Sequence, residues 1–247
     1  VALAAPGLLT GPSTQALAAD DATASPQPYE TDKDAEPIEG AERSIDAPEL
    51  TPGLHTDTLE AGEQTHYTVQ LDDRSHYHIS AVVIPPLGDA VDWNDGFTLS
   101  LLAEDGTECH KTEVDFGTRT LSRPLAASIR RSIEPNGDCQ QKSSYLVRLQ
   151  RDGEGSEEDW PVELQVLREP GIKSPLPTSP SPQPSLSGPL PPPAGEPKDV
   201  EGTTSFNDPP AVGEGNWRDE VLPGETRFYR VPVDWEQQLL VAAAFSN

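Results

Sequence analysis

Apolar and polar residues alternate strictly in several stretches of this chain. Gln64–Leu71 places Tyr67, Val69 and Leu71 on one side and His66, Thr68 and Gln70 on the other. Ser75–Ile84 repeats the device, with Tyr77, Ile79, Ala81 and Val83 opposed to His76, His78 and Ser80. Phe97, Leu99 and Leu101 alternate with Thr98 and Ser100, and the same period returns in Tyr145, Val147, Leu149 and in Val162, Leu164, Val166. Successive strand side chains leave opposite faces, so this period predicts half-buried antiparallel strands. Turn-forming residues separate them at Glu60–Glu63, Leu71–Arg74, Glu104–Gly106 and Asp152–Gly155. Short strands joined by such turns predict an all-β sandwich or barrel over residues 50–168.

One stretch departs from that period. Pro124–Ile133 sets Leu125, Ile129 and Ile133 four apart, with Ser122 as cap, Arg130 and Arg131 at the far end, and Pro135 as stop. That spacing predicts one short helix lying across an end of the sandwich. Upstream, residues 19–49 are acidic and poor in large apolar groups, and read as a disordered stalk with Ile38 and Ile45 as docking points. Residues 169–199 are dense in Pro and Ser. Proline removes amide donors and fixes φ, so the segment reads as a semi-rigid polyproline spacer.

An internal repeat accounts for residues 200–247. At an offset of 162 residues, Gly215–Ala243 falls on Gly53–Ala81 without a gap. Gly53/Gly215, Asp57/Asp219, Gly62/Gly224, Glu63/Glu225, Tyr67/Tyr229, Val69/Val231, Asp72/Asp234 and Ala81/Ala243 are identical, and Ile79/Val241 keeps the apolar face. Matched turn glycines and inward positions are what a duplicated unit preserves. The pattern predicts a truncated second sandwich, with strands near Trp217–Val221, Arg227–Val233 and Leu239–Phe245 forming an open, half-exposed sheet.

Charge and cysteine usage narrow the setting. With 17 basic and 42 acidic residues the net charge is −25, which argues against nucleic acid and anionic membranes as partners. Val1–Leu9 is apolar and Ala16 and Ala18 complete an A-x-A pattern, so residues 1–18 read as the remnant of a secretory signal cut before Ala19. Prolines and glycines interrupt that run, making it too short to span a bilayer. Export places Cys109 and Cys139 in an oxidising compartment, where a pair most simply forms one disulfide; two buried free thiols are the other reading.

The order L-x-x-G-E-x-x-x-Y-x-V-x-L-D from Leu59, F-x-L-x-L-L-x-x-D-G-x-x-C from Phe97, S-Y-L-V-R-L from Ser144 and V-E-L-Q-V from Val162 resembles the bacterial pre-peptidase C-terminal (PPC) domain. It also resembles the accessory region of actinobacterial envelope proteins, some of which carry a von Willebrand factor A domain. The resemblance covers residues 50–168 and again from about Gly202. It implies a jelly-roll-like sandwich appended to exported proteins, without catalysis of its own; the cysteine pair and the helix depart from the family pattern.

Candidate chemistry is sparse. Gly153-Glu154-Gly155-Ser156 falls short of a nucleophile elbow, and Cys109 and His110 leave opposite faces of a strand, which excludes a Cys–His pair. His66, His76 and His78 share outward faces in this reading, without a carboxylate spaced to complete a metal site. Asp92–Gly96 begins like a calcium loop but has Phe97 and Ala103 where the turn glycine and bidentate Glu belong. The carboxylates of Asp152, Glu154, Glu157, Glu158 and Asp159 read as a solvated loop, and Trp93 and Trp217 as packing residues rather than glycan platforms. The expectation is therefore a non-catalytic secreted or envelope module without cofactor or metal. Its expected partner is an extracellular or envelope protein or a glycan. The alternative is an accessory region of an exported hydrolase.

Overall fold

The computed structural model describes residues 25–88, 91–118, 121–134, 137–153, 155–171, 195–234 and 237–245. The signal-like residues 1–18 and proline-rich residues 172–194 lie outside the described set.

The alternating stretches become two packed sheets. In chain order the strands are β1 (Glu36–Pro37), β2 (Gly53–Leu59), β3 (Gln64–Leu71), β4 (His76–Val83), β5 (Gly96–Leu102) and β6 (Glu108–Asp115), then β7 (Leu125–Arg131), β8 (Ser143–Asp152) and β9 (Trp160–Glu169). Two further short strands are β10 (Lys198–Asp199) and β11 (Trp217–Arg218). One sheet has the order β1-β2-β9-β4-β7 and the other β3-β8-β5-β6. Apart from the parallel β1–β2 pair, every contact within these two sheets is antiparallel. From β2 to β9 the chain changes sheet at every step except β5 to β6, which are neighbours in the four-stranded sheet, and this is the Greek-key order of a jelly roll.

Each inward position marked by the alternation is buried, including Tyr67, Val69, Ile79, Phe97, Leu99, Val147, Leu149, Val162 and Leu164. Register brings them opposite one another: Ile79 lies between Val166 and Ile129, and Leu99 faces Leu149. Trp160 and Phe116 close one end with rings edge to face at 6.1 Å. The Arg151 guanidinium stacks 3.6 Å from the Trp160 ring centroid, placing a buried cation on an aromatic face.

The segment expected as a helix is strand β7. Leu125, Ala127, Ile129 and Arg131 point inward, while Ala126, Ser128 and Arg130 point out. Ala127 is too small, and Arg131 too polar, to register as inward in a hydrophobicity pattern, leaving only the four-residue spacing of Leu125 and Ile129. Arg131 is nonetheless buried: its guanidinium lies 5.4 Å from the Tyr77 ring centroid and donates to the Asp72 carbonyl. The described residues contain one 3-10 turn, Ser44–Asp46, and no α-helix.

The acidic segment also differs from its expectation. From residue 25 onward it is laid along the sandwich, with Tyr29 buried and β1 parallel to β2. Ala41 bridges to His66 and Glu49 to Thr68, covering the free edge of β3. Unpaired edges template aggregation, so this segment caps an edge of each sheet. Charged side chains face solvent while its backbone does the pairing, which is why composition alone suggests disorder.

The repeat is longer in space than in sequence. The parallel pairs Glu36↔His55 and Pro37↔Thr56 recur at the same offset as Lys198↔Trp217 and Asp199↔Arg218. The bridges Ala41↔His66 and Glu49↔Thr68 recur as Thr203↔Phe228 and Ala211↔Arg230. Thus β10 begins the second copy, and residues 198–199 belong to it rather than to the spacer. Of the three strands expected in that copy, Trp217–Arg218 forms, residues 228 and 230 make isolated bridges, and 239–245 are not a strand. In the first copy β3 pairs with β8, and β4 with β7 and β9. No described strand fills those places in the second, and Leu239, Leu240, Val241 and Phe245 are exposed.

Candidate functional site

Most polar groups that drew attention in the sequence are committed to holding backbone. The clearest arrangement is a clasp centred on Asp57. Its Oδ2 accepts from the Tyr67 hydroxyl at 2.6 Å and from the Gly40 amide at 2.8 Å, and its Oδ1 accepts from the Thr58 amide at 2.7 Å. Gly40 is required because a Cβ there would lie 2.0 Å from Thr65 Cγ2 and 2.8 Å from the Tyr67 ring. Burial first, then the neighbouring carboxylate, pushes the Tyr67 hydroxyl far above the ordinary tyrosine value. The second copy rebuilds the clasp: Asp219 accepts from Tyr229 at 2.5 Å, from the Gly202 amide at 2.8 Å and from the Glu220 amide at 2.7 Å.

Asp72 is a second anchor. It accepts from the amides of Arg74 (2.8 Å) and Ser75 (2.6 Å) and from the hydroxyls of Ser75 (3.0 Å) and Tyr77 (3.2 Å), and pairs with Arg168 at 2.7 Å. Burial alone would raise its carboxyl; these hydrogen bonds outweigh it and hold the group well below the usual carboxylate range. Asp95, expected in a calcium-like loop, is buried and accepts from the amides of Asp92 (2.8 Å) and Gly155 (3.0 Å). Gly153 and Gly155 approach it so closely that a Cβ at either would lie 2.2 Å from its carboxylate. That pair of glycines in the rejected nucleophile-elbow sequence therefore serves close packing around Asp95.

Cys109 and Cys139 form a disulfide with Cα atoms 5.8 Å apart, as the pairing reading expected. It ties β6 to the loop after β7. The histidines do not share a face: His66 is on β3 in one sheet, whereas His76 and His78 are on β4 in the other. His76 Nδ1 accepts from the Ile133 amide at 3.3 Å, and His110 Nδ1 from the Arg130 amide at 2.9 Å, each binding backbone at or beyond β7. Among the described residues no three His, Cys, Asp or Glu side chains gather as a metal site. Asp152 accepts from the Thr98 hydroxyl at 2.7 Å, while Glu154 is outside the described residues. Trp93 is exposed, and Trp217 donates to the Gly213 carbonyl at 2.9 Å beneath Lys198.

Sequence reasoning missed one residue of consequence, Glu163. It sits on the outer face of β9, opposite Thr56 and Val82, yet is buried. Its Oε1 accepts from the Tyr29 hydroxyl at 2.9 Å; its Oε2 accepts from the Asp32 amide at 2.6 Å and from Asn207 Nδ2 at 3.0 Å. Burial, then the Glu163 charge and hydrogen bond, raises the Tyr29 hydroxyl above its usual range. A lone Glu at an outward strand position carries no sequence signal for such a role, because the groups that cover it come from chain segments 131 and 44 residues away.

No family model matches the chain, and no curated protein matches it. Among solved structures it is similar to a CBM4 carbohydrate-binding module, at 14% identity and a TM-score of 0.28, covering 45% of this chain and 64% of that one. An arabinose-bound GH51 α-L-arabinofuranosidase follows at 12% identity and TM-score 0.29, covering 44% of this chain and 18% of that one. The VP2 subviral particle of infectious bursal disease virus matches at 17% identity and TM-score 0.27, over 49% and 30%. The chain thus spans less than two thirds of each of these structures. The strand order and the two packed antiparallel sheets define the class as an all-β sandwich.

Proposed function

We propose that the chain is a non-catalytic binding or scaffolding module of an exported protein, built from repeats of one β-sandwich unit. The observation that supports this most is the recurrence of the Asp57–Tyr67–Gly40 clasp as Asp219–Tyr229–Gly202, contact for contact, at a fixed offset. Duplication that preserves a purely architectural element, while neighbouring polar positions change, fits a module selected for presenting surface. The carboxylates with buried surroundings, Asp57, Asp72, Asp95 and Glu163, all accept hydrogen bonds from this chain's own donors. A disulfide and a net charge of −25 fit the oxidising, crowded exterior of a cell, where self-repulsion favours solubility.

The test is co-sedimentation of the purified, oxidised chain with isolated cell-wall sacculi and with envelope membranes, alongside hydrolysis assays on peptide and ester substrates. Saturable retention on one fraction, without turnover, is the expected result. Turnover that co-purifies with the chain, in the absence of saturable retention, would overturn the proposal.

A further inference from the structure

Tyr29, Glu163 and the second copy meet at one place. Phe206 and Phe228 pack with ring centroids 4.3 Å apart and planes tilted by 58°, and Tyr29 packs on both, at 6.4 Å from Phe206 and edge-on at 5.8 Å from Phe228. Beneath them lie Val82 and Ile84, which with Tyr29 form an apolar cluster separate from the sandwich core. The Phe206 amide donates to the Tyr29 hydroxyl at 3.4 Å, and Asn207 to Glu163. The cluster therefore joins the acidic N-terminal segment, the outer face of the five-stranded sheet and the second copy.

The repeat itself shows how the two copies differ at this contact. At the common offset, Phe206, Asn207 and Phe228 correspond to Ser44, Ile45 and His66. Around these positions the copies agree: Ile38-Glu39-Gly40 with Val200-Glu201-Gly202, Asp46 with Asp208, Pro48 with Pro210, Leu50 with Val212. In the first copy Ile45 is 85% exposed and touches no such socket. The second copy thus diverges at the residues that face the first sandwich, and diverges toward aromatic and amide groups. Glu163 fits the same account. A carboxylate on a sheet's outer face is normally left in water, because burying it without donors is costly. Here three donors from two separate segments satisfy it.

We propose that Glu163 and Tyr29 form a docking socket for the second copy of the repeat, with residues 25–34 as a strap closed over the junction. The two repeats then move as one body. Strap and second copy are coupled: each covers the carboxylate that the other needs covered, so loss of one loosens the other.

The experiment is hydrogen exchange on the whole chain. Three forms are compared: the wild type, the triple variant Phe206→Ser, Asn207→Ile, Phe228→His, which restores the first copy's residues, and Glu163→Gln on the sandwich side. Gln keeps the size of Glu163 but turns an NH2 toward donors that a carboxylate accepts from. In the wild type the Asp32 amide should be protected, and in both variants its protection should fall at least tenfold. Amides of β3, β4, β8 and β9 should stay protected throughout, which separates undocking from unfolding. Unprotected Asp32 in the wild type, or unchanged protection in both variants with the sandwich intact, would overturn the proposal. If the triple variant unfolds, Glu163→Gln decides alone.

Discussion

Removing the clasp carboxylate should hurt the two copies unequally. In the first copy, Asp57→Ala takes an acceptor from the Tyr67 hydroxyl and from the Gly40 and Thr58 amides. Tyr67 is fully buried, so its hydroxyl would be stranded without water. Hydrogen bonds to a charged group are worth about 1.5–3 kcal/mol each, and an orphaned buried donor costs about 1–3 kcal/mol. These overlap rather than add, and the exposed Thr58 bond counts for little, so the expected loss is about 3–4 kcal/mol. For a domain of this size that is a fall of about 10 °C in melting temperature. Tyr67→Phe should cost less, about 1–2 kcal/mol, because Asp57 keeps its two amide donors. In the second copy the same geometry surrounds Tyr229, which is 38% exposed. Water can replace the lost acceptor there, so Asp219→Ala should cost about 1 kcal/mol or less. Urea unfolding followed by far-ultraviolet circular dichroism on the whole chain reads all three. Equal losses for Asp57→Ala and Asp219→Ala, or a loss below about 1 kcal/mol for Asp57→Ala, would refute the assignment of burial as the deciding variable.

Three further outcomes follow from the same contacts. Replacing both Cys109 and Cys139 by Ser should remove about 3–4 kcal/mol of stability, given the loop they close, and a reducing agent should lower the wild type to the same urea midpoint without affecting the variant. The Asp72 carboxyl lies lower in the folded than in the unfolded chain, so its contribution is present above the unfolded value near 4 and is lost as pH falls through the folded one; Asp72→Asn should therefore show a flatter decline of urea midpoint below about pH 4 than the wild type. Ala127→Leu should destabilise by about 1–3 kcal/mol by overpacking an inward position, while Ala126→Leu, one residue away on the outer face, should be near neutral; the reverse order in thermal melts would contradict strand β7.

The sandwich was legible wherever an inward face is uniformly apolar. The inward sets at Tyr67–Leu71, Tyr77–Val83, Phe97–Leu101 and Val162–Val166 are read directly from alternation and all are buried. Legibility failed where inward positions are small or charged. In β7, Ala127 and Arg131 disguise the period, and Arg131 becomes acceptable inside only through Tyr77 and a backbone carbonyl that the sequence does not place beside it. Strand β6 escaped for the opposite reason, being a polar edge strand whose His110 and Thr112 reach across to the backbone of β7. The acidic segment was misjudged because its ordering comes from backbone pairing with distant strands, to which composition is blind. Its role was recoverable in one way: carrying the repeat alignment upstream of Gly53 would have matched Glu39-Gly40 with Glu201-Gly202 and Pro48 with Pro210. The disulfide followed from compartment and count, whereas the Glu163 junction depended on tertiary contacts that no local pattern encodes.

Through-hydrogen-bond scalar couplings in the isotopically labelled chain test the repeat architecture most directly. The first copy bonds the His66 amide to Ala41, the Thr68 amide to Pro48 and the Leu50 amide to Thr68; the second bonds the Phe228 amide to Thr203, the Arg230 amide to Pro210 and the Val212 amide to Arg230. The account predicts a coupling across each of these six bonds, matched pair by pair at the offset of 162 residues. Couplings confined to the first copy, with unstructured-chain chemical shifts from residue 198 to 230, would contradict it.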